Sequence, residues 1–410
     1  MGEAEAEREA DMEAVIDRGE PVSRMEPMRI GETSRHRPAL VDLALELARD
    51  SAGFSRSLPD SMLAPLGALV RAMNCYYSNL IEGHDTHPVD IERALRGDYS
   101  SDSRKRDLQQ EARAHIAVQC WIDAGALAGR SLGVDAIREV HRRFCAELPE
   151  DLLWVADPVS GRRQRMVPGA WRSRDVAVGR HIAVSAGAVP RFLTRFEATY
   201  AGLGRTETLL AAAAAHHRLV WIHPFLDGNG RVARLISHAV LAEALDTGAL
   251  WSVARGLARN VELYTAHLAA CDLPRRNDLD GRGELSEESL VDFTRFFLET
   301  CRDQVAFMER LMQPDGLRAR ILTWAEAEIG ANRLPARSGA VLEALLYRGA
   351  LPRGEIVGIV GTGPRQARRV VAALAAVGAM EADSPRAPLR LGFPAALAAQ
   401  WMPGLFPVAP

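Results

Sequence analysis

Between His223 and Arg234 the chain reads His-Pro-Phe-Leu-Asp-Gly-Asn-Gly-Arg-Val-Ala-Arg, and these residue types at this spacing suit the handling of phosphate. Gly228 and Gly230 let successive backbone N–H groups, Asn229 included, point into one concavity, and a helix starting near Asn229 adds its positive N-terminal end. Arg231 and Arg234, three apart in the first turns of that helix, can both reach phosphates held at its start. Asp227 is the hard oxygen ligand that Mg²⁺ takes when it bridges a phosphate chain. His223 is the one nearby group whose ordinary pKa suits it to accept a proton from an attacking hydroxyl at neutral pH. Base, metal ligand, anion nest and two guanidiniums together describe a site for nucleotide phosphate transfer.

Each piece alone is ordinary. A His before Pro is usually a helix end, Gly-Asn-Gly is more often a turn than a nest, and Arg at i and i+3 is usually a solvated face. Compression into one short segment is what carries the reading. At about 5% usage per residue type, the eight fixed positions of His-Pro-Phe-x-Asp-Gly-Asn-Gly-Arg arise by chance in roughly one chain in ~10⁸ of this length.

The elements that must hold this loop are helical. Apolar residues recur at three- and four-residue intervals from Pro38 onward, as in Met62, Leu66, Leu69, Val70 and Met73, and further helical runs are expected over 87–96, 105–129, 133–147, 189–202, 205–222, 229–246, 256–272 and 286–312. A short hairpin is expected across Met166 to Val184, where Val176 and Val178 alternate ahead of Gly179. The expected organisation is a flexible arm over 1–36, a helical region over 37–100, a core over 101–312, a linker over 313–336 and a C-terminal module with its tail over 337–410. In that module the order helix, helix, helix, two short strands is that of a winged helix-turn-helix.

With 410 residues, 48% hydrophobic and 25% charged, the chain has apolar material for more than one core, which excludes a wholly disordered or collagen-like chain. A net charge of −3 excludes a surface that is cationic throughout, while a local basic patch stays open. The cysteines at 75, 120, 145, 271 and 301 form no CxxC pair and read as buried thiols of a reducing compartment. No apolar run reaches membrane-span length and the N-terminus is acidic where a signal peptide is basic, so the expectation is a cytoplasmic protein without membrane contact.

The segment from His223 to Arg231 resembles the signature of Fic-domain proteins, which typically move AMP from ATP onto a hydroxyl side chain of a target protein. The resemblance extends over roughly 40–310 and implies a mainly α fold, a Fic-type helical bundle with a small β-hairpin flap, beside the C-terminal winged helix-turn-helix domain. It implies His223 as general base, Phe225 as the anchor of the loop, Asp227 for the metal, Gly228, Asn229, Gly230 and Arg231 for the α- and β-phosphates, and Arg234 for the γ-phosphate. The flap that lines up the target looks like Pro168 to Arg172 through Val176, Val178 and Gly179. Asn260 and Tyr264 resemble the adenosine-side contacts, in a looser pattern. Doc kinases of the same family carry Lys where this chain has Gly230, and the small residue favours AMP transfer. Phosphocholine and uridylyl transfer use similar loops and stay open.

Ser78-Asn79-Leu80-Ile81-Glu82-Gly83 resembles the family's inhibitory motif, placed ahead of the core. Glu82 paired with Arg234 would occupy the guanidinium that grips the γ-phosphate, and Ser78, one turn earlier, shares its helical face. The resemblance therefore implies an autoinhibited protein adenylyltransferase using ATP and Mg²⁺. Its partner would be a protein bearing a Ser, Thr or Tyr hydroxyl, with modification of the chain itself and a homodimer as further expectations. Removal of AMP, another nucleotide donor, and a winged-helix DNA regulator with a nucleotide-sensing core are the alternatives. Arg365-Gln366-Ala367-Arg368-Arg369 would open a recognition helix, making DNA a partner through 337–391, with protein docking as the rival reading.

Overall fold

The structure, a computed structural model, describes residues 15–156, 161, 163–245 and 250–407. The chain is helical from Arg37, where Pro38 sits in the first turn of α1 (Arg37–Ser57) and its missing N–H leaves no bond unmade. The next helix, α2 (Asp60–Ile81), buries Met62, Leu66, Leu69, Val70 and Met73 along the stripe expected of them. It stops at Glu82, followed by Gly83 at φ +82, a conformation that needs no Cβ. Then come α3 (Pro88–Leu95), α4 (Ser103–Asp123) and α5 (Val134–Ala146). Two hairpins follow: β1 (Trp154–Ala156) with β2 (Arg163–Arg165), and β3 (Ala177–Val178) with β4 (His181–Ile182). Only the second was expected.

Four helices complete the floor of the core: α6 (Val189–Tyr200), α7 (Arg205–Ile222), α8 (Asn229–Leu245) and α9 (Val253–Arg259). From Leu209 to Ile222 every side chain of α7 except Val220 is buried, so this helix is central rather than amphipathic. It lies alongside α8, with α1, α6 and α11 packed around it. The single helix expected over 256–272 is two, α9 and α10 (Val261–Cys271), broken at Asn260 with φ −125 and ψ 40. The long α11 (Glu287–Met312) runs against α1 and closes the bundle.

The expected linker over 313–336 holds a 17-residue helix, α12 (Pro314–Gly330). Pro314 reads as a breaker in sequence but occupies the first helical turn, where proline starts a helix as readily as it ends one. Beyond it lie α13 (Ser338–Arg348), β5 (Ala350–Leu351), α14 (Ile356–Val360), α15 (Pro364–Ala376), β6 (Met380–Glu381), β7 (Leu389–Leu391) and α16 (Ala398–Trp401). The strands form one antiparallel sheet in the order β5-β7-β6, so the two expected strands gain a third. The tail folds back on its own chain: Tyr77 donates its hydroxyl to Leu405 O at 2.9 Å, and Phe406 lies edge-on to Tyr76.

Two further expectations are corrected. Of the flexible arm over 1–36, residues 1–14 lie outside the described residues, but 15–36 are packed, with Met25, Met28 and Ile30 buried. Arg218 donates to Pro27 O at 2.8 Å and Glu20 accepts from the Ser185 amide, so polar groups of the body meet this segment's own. Its few apolar residues were too sparse to show a period. Cys120 is exposed, whereas the other four cysteines are buried.

Candidate active site

The loop after α7 starts from a strained residue. His223 has φ 51 and ψ 61, left-handed values uncommon for a side chain with a Cβ. Its amide caps α7 by donating to Leu219 O at 3.1 Å, and Pro224 prevents the helix from continuing. Nδ1 lies 3.3 Å from Val220 O, so that nitrogen carries the proton and Nε2 is left with a free lone pair. Burial lowers the imidazole to about 4, a shift the Val220 carbonyl only partly opposes, and the ring is neutral at pH 7.

Phe225 is fully buried and anchors the loop, stacked on His141 with ring centroids 3.8 Å apart. Asn229 folds the turn, accepting from the Phe225 amide and donating to its carbonyl, both at 2.9 Å. Its side chain therefore serves the loop, and any contact it makes with an anion must come from its backbone. Asp227 accepts from the Gly228 amide at 2.6 Å, and its side chain is half exposed. Loss of hydration and the Glu82 charge raise its pKa despite that hydrogen bond.

The two arginines are both held. Arg234, with a side chain only 3% exposed, donates Nε to Ser78 Oγ at 2.9 Å and Nη2 to Ser78 O at 3.1 Å, and pairs with Glu82. Burial acts to raise Glu82, but the charge and hydrogen bond of Arg234 outweigh it and hold the carboxyl below its ordinary value. The α2 and α8 helices thus bring together Ser78, Glu82 and Arg234, which the sequence separates widely. Arg231 pairs with Glu111 on α4, lies 3.4 Å from Asp227 and sits over the Phe144 ring. Burial lowers it to about 10, still charged at pH 7. Its Nε is buried with no hydrogen-bond partner.

The hairpin β3–β4 pairs Ala177 with Ile182 and Val178 with His181, turning at Gly179 with φ +60. Val176 O accepts from Ala183 N at 3.2 Å, while Val178 and Ile182 stay exposed. The hairpin is fixed to the loop by Arg172, a buried residue that donates Nε to His223 O at 2.8 Å and its amide to Pro224 O at 2.9 Å, and also bonds Val184 O. His181 adds a contact with Trp221 O at 2.7 Å.

Of the remaining candidates, Tyr264 lies near enough to Arg234 and Glu82 for both charges to act on its hydroxyl, whereas Asn260 makes its contact within its own helix break. Asn260 is exposed and donates to Gly256 O at 3.1 Å, closing the break between α9 and α10. Tyr264 is buried with its hydroxyl 2.7 Å from His216 Nε2. Conversely, sequence reasoning passed over Glu111, His84 and His141 as site residues and placed Arg172 in the flap without its bonds to the loop. The one local signal was for His141, a histidine on the apolar face formed by Ile137, Val140 and Phe144.

Among the described residues no three His, Cys, Asp or Glu side chains cluster to hold a metal by themselves. Asp227, a carboxylate half open to solvent in the loop, has the chemistry for a divalent ion whose other ligands come from phosphates and water. No helix among the described residues is long and apolar enough to cross a membrane.

Comparison with known proteins bears on this arrangement directly. The chain is 30% identical over 187 residues to protein adenylyltransferase Fic of Drosophila melanogaster, an alignment covering 43% of this chain and 35% of that protein. The same values hold for the Drosophila sechellia protein of that name, so the chain spans about a third of the length of the curated relatives it matches. Among solved structures it is similar to a Fic family protein from Desulfovibrio desulfuricans G20, with TM-score 0.49 and 18% identity over 86% of this chain and 96% of the other. Residues 131–241, which span α5, the flap hairpin, the loop and most of α8, match the Fic/DOC family, and the chain carries a Fic domain there.

Proposed function

We propose that this chain is an autoinhibited protein adenylyltransferase that moves AMP from ATP to a Ser, Thr or Tyr hydroxyl of a target protein. The observation that carries the reading is the neutral His223, with Nε2 free, beside a helix N-terminus that carries Arg231 and Arg234, the latter held by Glu82 and Ser78. In the transfer, the hydroxyl oxygen attacks the α-phosphorus, Nε2 of His223 takes the hydroxyl proton, and the bond from the α-phosphorus to the bridging oxygen breaks as pyrophosphate leaves. The backbone of Gly228 to Gly230 and Arg231 would hold the α- and β-phosphates, and Arg234 the γ-phosphate. Asp227 would hold Mg²⁺, which neutralises charge on the phosphate chain when bound. The exposed edge of the β3–β4 hairpin would pair with the target segment through its backbone.

Inhibition follows from Arg234, whose guanidinium is taken by Glu82 and Ser78 from α2. A γ-phosphate must displace Glu82 before it can be gripped. The test is AMP incorporation from α-³²P-labelled ATP with Mg²⁺, into the chain itself and into a cell lysate. Weak labelling by wild type, strong labelling by Glu82→Gly and none by Glu82→Gly/His223→Ala is the expected pattern. Silence from all three proteins overturns the reading for ATP, and release of AMP from a modified target or use of another nucleotide replaces it.

A second reading applies to the C-terminal module. Arg365, Arg368 and Arg369 on α15 are exposed and form no ion pair among the described residues, which favours a phosphate-bearing partner such as DNA. Salt-dependent DNA binding that is lost when these three arginines become glutamine would support it.

A further inference from the structure

Glu111 lies on α4 with a side chain only 6% exposed, and each of its oxygens faces a basic side chain. One pairs with Arg231, and the other lies 2.8 Å from His84 Nδ1. His84 belongs to the turn that ends α2, two residues beyond Glu82, and its amide donates to Asn79 O at 2.9 Å. The carboxylate therefore stands between the helix that carries the brake and the arginine that faces the loop. A buried guanidinium without a counter-charge is costly, and one with a single fixed partner keeps a defined orientation for its remaining donors. Here Nη1 faces the Glu111 carboxylate as an ion pair, Nη2 makes a long contact with Asp227 at 3.4 Å, and Nε has no hydrogen-bond partner. Donors left open on a side chain held so firmly are preorganised for an incoming oxyanion.

We propose that Glu111 is a positioning residue for nucleotide phosphate: it neutralises and orients Arg231 so that the free donors of that guanidinium face the phosphate chain. The proposal rests on the nucleotide reading of the loop given above. Its action on nucleotide is through Arg231, so it should affect ligands with phosphates and leave the nucleoside part of binding untouched. Ser78 on α2 orients Arg234 through two hydrogen bonds, and Glu111 on α4 sets a counter-charge beside Arg231.

The test compares MgATP with adenosine, both titrated calorimetrically into the full chain carrying Glu82→Gly, and into the same protein with Glu111→Gln added. The expected result is at least tenfold weaker binding of ATP and unchanged binding of adenosine. Glu111→Asp, which keeps the charge on a shorter stem, should recover part of the loss, and it carries the same comparison if the glutamine variant does not fold. Unchanged or tighter ATP binding overturns the proposal, because Glu111 would then be idle or a competitor for Arg231. Equal weakening of ATP and adenosine also overturns it, since that marks a general structural role. If the Glu82→Gly parent binds neither ligand, the nucleotide reading itself falls and takes this proposal with it.

Discussion

Replacing Glu82 in two steps separates charge from bulk in the contact proposed to inhibit transfer. Its partner Arg234 is almost wholly buried and keeps two hydrogen bonds to Ser78 whatever stands at position 82. Glu82→Gln retains the shape and a neutral acceptor. Arg234 stays charged and still has an acceptor, so what is lost is the carboxylate's own attraction, about 1 kcal/mol for a pair with one partner partly exposed. That corresponds to a gain in AMP transfer of roughly fivefold. Glu82→Gly removes the partner altogether. Breaking a buried pair costs about 3–5 kcal/mol in general, but a third of the Glu82 side chain is open to solvent, which reduces the figure to about 2–3. The corresponding ceiling is a gain of roughly thirty- to 150-fold over wild type. Initial rates of labelling from α-³²P-ATP at subsaturating nucleotide give the series directly. Wild type, glutamine and glycine should rise in that order. If Glu82→Gln is as slow as wild type while Glu82→Gly is fast, bulk rather than charge blocks the site, and the ion-pair argument is wrong.

Other consequences are as concrete. A Cβ at position 230 would overlap Glu82 Oε1 and come within 3.1 Å of Arg234 Nη1, so Gly230→Ala should loosen the brake and raise ATP affinity several-fold over wild type; affinity equal to wild type would count against that contact. In the free protein the His223 ring should titrate near 4 by NMR, since burial disfavours its charged form, and a midpoint at or above 6.5 would mean that Nε2 is solvated. Burial also lowers His115 and His216 to about 3 and His141 to about 4. Above pH 6.5 these rings are neutral in both states, but below it the unfolded chain takes up protons the folded one refuses, and stability falls by about 2 kcal/mol per ring at pH 5. Thermal melts should therefore drop steeply between pH 6.5 and 5, and a flat Tm over that interval would contradict neutral burial. Arg172→Ala removes the bonds that join the flap hairpin to His223 and Pro224, so in the Glu82→Gly background transfer to a protein target should fall at least tenfold while adenosine binding holds; loss of both would point to a folding defect.

The loop from His223 to Arg234 was legible because its geometry is local. A helix end, a proline, two glycines and a new helix N-terminus constrain the backbone of adjacent residues, so their order in the chain is nearly their order in space. Ser78 and Glu82 were legible for the same reason, one turn apart on one helical face, and the stripe of Met62, Leu66, Leu69 and Val70 placed that helix. The break at Asn260, the helix begun by Pro314 and the packing of 15–36 were not, because each is decided by what the segment meets rather than by its own period. The partners of the two arginines show the division most clearly. That Arg234 would meet Glu82 rested on a resemblance, and only the packing of α2 beside α8 brings the two side chains together. That Arg231 meets Glu111, and Glu111 meets His84, left no trace in composition or spacing. Local dihedral preferences act over a few residues, whereas an ion pair between helices exists only once the apolar faces on either side of it have closed.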